Sequence, residues 1–114
     1  MTEIAGEIFT NIDLNQFARM LIQNGMRMII HLSSVYEGGA YIRIEEGATE
    51  FSLENIGSEY HATGFASSFD LMYQASSKVS QVLIALDVRH AFELYDKSGE
   101  IIHYLHHNCP QEVI

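Results

Sequence analysis

The run Ala40-Tyr41-Ile42-Arg43-Ile44-Glu45-Glu46-Gly47-Ala48-Thr49-Glu50-Phe51-Ser52-Leu53-Glu54 decides the fold class. Ile42 and Ile44 point to one side while Tyr41, Arg43 and Glu45 point to the other. Beyond Glu46-Gly47-Ala48 the alternation resumes, with Phe51 and Leu53 opposed to Glu50, Ser52 and Glu54. Successive side chains of a strand leave opposite faces, so period two across a short glycine-containing connection predicts an antiparallel hairpin with one buried face.

Towards the N-terminus, Leu14, Phe17, Ala18, Leu21 and Ile22 follow the spacing of a single helical stripe. Asp13 is a natural N-cap, Gln16 stands at the capping-box position, and Ile12 and Phe17 occupy the staple positions. Gly25 suits the left-handed residue that ends a helix. A helix over 14–24 follows, its stripe buried against the sheet. Met26 to Leu32 is apolar at nearly every residue, which predicts a central strand covered on both sides. Ser33 to Gly39 reads as a loop.

Towards the C-terminus, Asn55 to Ala66 carries Gly57 and Gly64 and offers one short strand over 59–63. Ser67 and Asp70 have the spacing of a capping box. Met72, Ala75, Val79, Val82, Leu83 and Leu86 then keep helical period, predicting a helix from about Ser68 to Leu86. The β-branched Val79, Val82 and Ile84 leave 79–88 open between helix and strand. His90–Tyr95 and Glu100–His106 flank Asp96-Lys97-Ser98-Gly99, a turn that closes a second hairpin. The order α-β-β-β-(β)-α-β-β implies a single α+β domain over 1–114, a mostly antiparallel sheet with two main helices packed on it.

Apolar residues are 47% of the 114, enough for a core without staples. The lone Cys109 leaves no internal disulfide framework and fits a reducing compartment. The start lacks the basic and apolar segments of a signal peptide, and the longest apolar run, Val82–Leu86, is far too short to span a bilayer. A soluble cytoplasmic protein is expected. Fifteen acids against six Lys and Arg give a net charge of −9. Such a chain repels nucleic acid and anionic lipid, whose binding depends on basic side chains, and draws basic partners instead. For an arbitrary acidic domain the commoner role of this charge is solubility.

Catalytic constellations are weak. His103, His106, His107 and Cys109, with His90 on the partner strand, are zinc-type ligands without a compact zinc spacing, and read as a surface cluster at a fraying terminus. His103 and His107 share a face if the strand runs that far. No Ser stands in a nucleophile elbow, and Gly38-Gly39 lacks the Lys and the helix of a phosphate loop. No enzyme activity, no metal and no cofactor is expected, and the fold should need no metal.

The segment 37–59 sets six glutamates against Arg43 alone. Clustered like charges do not help a sheet, so the outward Glu45, Glu50 and Glu54, with Glu46 and Glu59, form a candidate partner-binding surface. A solvated face that protects a sheet edge is the competing explanation. Tyr41 and Tyr60, with Tyr36 nearby, favour binding, because Tyr supplies contact area at low entropic cost.

A small, Cys-poor, acidic α+β chain with this face, from Tyr41-Ile42-Arg43-Ile44-Glu45-Glu46 to Glu54, resembles the bacterial toxin-immunity proteins of contact-dependent growth inhibition. The resemblance rests on charge, size and element order. It implies a basic protein partner, a cognate toxin domain and often a nuclease, whose phosphate-attracting cleft an acidic face can block. An anti-CRISPR protein or another acidic inhibitor has the same profile, and a small ligand- or metal-binding domain is the alternative. An inhibitor should show one acidic, convex or edge-like face. A ligand-binding domain should show a concave apolar pocket with converging polar groups.

Overall fold

The computed structural model describes residues 1–31, 41–45 and 48–109, with the side chains of Ile30 and His31 left aside. The predicted loop 33–39, the glutamate at 46 and the tail from 110 lie outside the described residues. Seven strands form one sheet in the order β2-β3-β4-β5-β1-β6-β7: β1 (Thr2–Ile8), β2 (Met28–His31), β3 (Tyr41–Ile44), β4 (Thr49–Ile56), β5 (Glu59–Ala66), β6 (His90–Tyr95) and β7 (Ile101–His107). Every pairing is antiparallel. Helices α1 (Leu14–Gln23) and α2 (Phe69–Ala85) cover one face, so the α+β class expected from the sequence is the observed one.

The predicted hairpin forms β3 and β4, with Tyr41 opposite Glu54 and Ile42 opposite Leu53. Ile42, Ile44, Phe51 and Leu53 are fully buried. Gly57, at φ +64°, opens the two-residue turn into β5, which is longer than the sequence suggested. The second hairpin is β6–β7; Asp96 Oδ1 accepts from Ser98 N, Ser98 Oγ and Glu100 N, and these bonds hold its carboxyl below the usual range.

β1 was not foreseen, yet it joins the β2–β5 meander to the β6–β7 hairpin by pairing with β5 and β6. Ile4 and Ile8 point into the core, but Gly6 between them carries no side chain to reveal the alternation. A Cβ at Gly6 would strike the Ala91 carbonyl and the Phe92 ring, so the close approach of β6 requires glycine there.

α1 matches its prediction at both ends. Asp13 accepts from the Asn15 and Gln16 amides at 3.1 and 3.4 Å. Gly25 N–H donates to Ile22 O and Met26 N–H to Leu21 O, a Schellman stop with Gly25 at φ +88°. Met26 is buried as part of that stop rather than as a strand residue. β2 therefore begins later than expected and lies at one end of the sheet, not its centre, and Ile29, opposite Arg43 on the face the helices leave open, is 49% exposed. The stripe is also narrower than predicted: Phe17, Ala18 and Leu21 are buried, but Ile22 is 52% exposed. α2 stays helical to Ala85, and its N-cap is Ser68, whose Oγ accepts from Leu71 N, rather than Ser67. Among the described residues no helix is long and apolar enough to cross a membrane.

Candidate functional site

Parity along the strands sorts every side chain to the helix-covered face or to the open one. Cross-strand register then builds rows across the open face. One row runs Tyr41, Glu54, His61, Glu7, Ala91, His106. The next runs Arg43, Ser52, Thr63, Ala5, Glu93, Tyr104, and a third holds Glu50, Phe65, Glu3 and Tyr95.

Of the residues expected to bind a partner, Glu45, Glu50 and Glu54 are exposed on this face, and Tyr41 and Glu59 are half-buried on it. Arg43 stands between two of the acids, 3.7 Å from Glu45 and 4.0 Å from Glu50. Tyr60 is a correction. One residue from Glu59, it faces the other way and is fully buried against Phe17, ring centroids 4.7 Å apart. Its hydroxyl donates to Ile12 O at 2.6 Å, and burial, with the Asp13 charge added, pushes its pKa up to about 12. Tyr60 belongs to the core.

The face also gathers Glu3, Glu7 and Glu93, which the sequence reading missed because β1 was unassigned. At its centre it is concave rather than convex. Ala5, Gly6, Thr63 and Ala91 floor a depression of about 500 Å³, with Phe9, Arg89, Glu93 and Tyr104 around it. Small side chains on neighbouring strands leave that space. On the rim the Arg89 guanidinium lies 4.6 Å from the Phe9 ring centroid, and its Nε–H donates to Cys109 Sγ at 3.4 Å.

The histidines divide between the two faces. β7 continues to His107, so His103 and His107 do share the helix-covered face while His106 stacks on Tyr104 on the open one. His103 meets the rings of Phe69 and Tyr73. His107 Nε2 is 2.8 Å from Asp87 Oδ1, and this contact, with Asn108 Nδ2 donating to the same oxygen, holds the Asp87 carboxyl below its ordinary value.

His90 is no surface residue: it is fully buried. Its Nδ1–H donates to Val88 O at 2.9 Å, leaving Nε2 to accept from the Ser80 hydroxyl at 2.7 Å. Desolvation lowers its pKa, and the nearby His107 and His106 add to that against the Val88 bond. This serine–histidine pair is sealed inside the core, with a backbone carbonyl where a catalytic triad has its carboxylate. It satisfies buried polar atoms.

A different titratable cluster does converge. The ligand atoms of Glu7, Glu59 and His61 lie within 4.8 Å of one another on the open face. The Glu59-x-His61 spacing was a visible sign of two side chains on one strand face; Glu7 required the register. Comparison with protein-family models, with curated proteins and with solved structures finds no match for the chain.

Proposed function

We propose that the chain binds a basic protein partner through the open face of its sheet, and that it acts in the cytoplasm as an immunity protein neutralising a cationic toxin domain. The observation that carries this reading is the concentration of glutamates from β1, β4, β5 and β6 on the one sheet face that no described helix covers. Those side chains contribute little to folding where they stand, and like charges on adjacent strands oppose it. Tyr41, Tyr104 and the 44% exposed Phe65 interleave with them, adding the apolar area that a protein interface needs at its centre. A field of this sign speeds encounter with a basic surface and repels nucleic acid.

The depression supports a second reading, a domain that binds a small ligand between Arg89, Glu93 and Tyr104. The two separate in one experiment, mixing the chain with a candidate cationic toxin domain, taken from the adjacent upstream reading frame if that frame encodes one, and following binding by calorimetry. The interface reading predicts a stoichiometric complex whose affinity falls steeply as salt rises. Absence of a complex, or affinity indifferent to salt, contradicts it.

A further inference from the structure

We propose that Glu7, Glu59 and His61 form a binding site for a divalent transition-metal ion, zinc by preference, on the open face beside the central depression. Glu59 and His61 are two residues apart on β5 and leave the same face; Glu7 is the cross-strand partner of His61 on β1. His61 Nε2 is 3.7 Å from Glu59 Oε1, and all three ligand atoms fall within 4.8 Å of each other. Bonds of about 2.0–2.2 Å to zinc place its ligands roughly 3–4 Å apart, so small side-chain rotations on a fixed backbone complete the site.

An independent observation points to a cation. Glu59 Oε2 is sealed from solvent and, among the described residues, is the one buried side-chain oxygen without a hydrogen-bond partner. A desolvated carboxylate oxygen with no donor is costly, and a bound metal removes that cost. Glu54, directly across from His61 on the opposite side, adds negative potential. The donor set selects among cations: calcium and magnesium take oxygen ligands, whereas an imidazole with two carboxylates suits zinc. Three protein ligands leave a position open, and Glu7 and His61 both border the depression. The site lies within the proposed interface, sharing Glu7 and Glu59 with it, but zinc binding is read without any protein partner and does not rest on that interface; it is separate from the histidines on β7.

The test is calorimetric titration of zinc chloride into the chelator-stripped chain at pH 7. One equivalent should bind, and His61→Ala and Glu59→Gln should each weaken binding roughly tenfold or more, since even outer partners of metal ligands are worth that much. A His106→Ala/Cys109→Ala double variant, which removes other accessible zinc ligands, should bind as the parent does. Circular dichroism confirms folding, and Glu7→Gln supplies the same readout if either variant fails to fold. No binding by the parent chain, binding that survives His61→Ala, or loss confined to the double variant each overturns the site.

Discussion

Along β4 the covered face takes Phe51 and Leu53 and the open face takes Glu50, Ser52 and Glu54; along β1 the split is Ile4 and Ile8 against Glu3 and Glu7. The two faces share strands and backbone hydrogen bonds and differ by one residue of parity. On the covered face packing dictates nearly every side chain, and polar groups such as Ser80 and His90 are tolerated there because they bond each other. On the open face packing dictates little, so its composition is free to report what the protein meets. The lesson is that the glutamates carry information about function in proportion to how little the fold needs them.

The comparison breaks first if the covered face is not the seat of stability. Phe17→Ala and Leu21→Ala should each cost about 2–5 kcal/mol in urea unfolding, the range for large-to-small core changes. The exposed Ile22→Ala on the same helix should cost far less. Equal effects at Leu21 and Ile22 would mean that α1 is turned differently. Gly64→Ala is next. A Cβ there would be driven into the Glu50 carbonyl, so a loss of about 1–3 kcal/mol is expected from overpacking.

Acid should act on the covered face through His90. Its folded pKa is depressed below the unfolded 6.5, so at lower pH the unfolded chain binds a proton that the folded chain refuses. This contribution to stability is complete above about pH 6.5 and is lost as the pH falls through the depressed value. Urea midpoints should therefore drop between pH 7.5 and pH 5, and the drop should shrink in His90→Gln. An equal drop in both chains would assign the acid sensitivity elsewhere.

The smallest effect belongs to the open face. Glu50→Lys/Glu54→Lys should leave stability within about 0.5 kcal/mol, because both side chains are exposed. A larger loss would show that these glutamates serve the fold after all.

The same contrast explains what the sequence made legible. Both hairpins and α1 stood out because apolar and polar residues alternate in them at a clean period, and Asp13 and Gly25 punctuate the helix. β1 was obscured where Gly6 and Ala5 dilute both faces at once. Met26–Leu32 was misplaced because Met26 is buried by a helix stop and Ile29 is an exposed apolar residue, so unbroken hydrophobicity did not mean burial on two sides. Tyr60 was assigned to the surface through its nearness to the glutamates, whereas parity corrects it: counting inward from the Gly57 turn puts Glu59 and His61 out and Tyr60 in. The metal cluster and the depression depend on cross-strand register, which a single strand's pattern does not contain.

The central claim, that one face rather than bulk charge recruits a basic partner, is tested most directly by two variants of equal charge change. Glu50→Lys/Glu54→Lys alters the open face, whereas Asp70→Lys/Glu100→Lys places the same charges at exposed positions in the first turn of α2 and at the β6–β7 turn. Affinity for the cationic partner domain, measured across a salt series, should fall with a flattened salt dependence in the first variant and stay near the parent value in the second. Equal losses in both would reduce the acidic face to net charge alone, and binding unchanged in both would place the interface elsewhere.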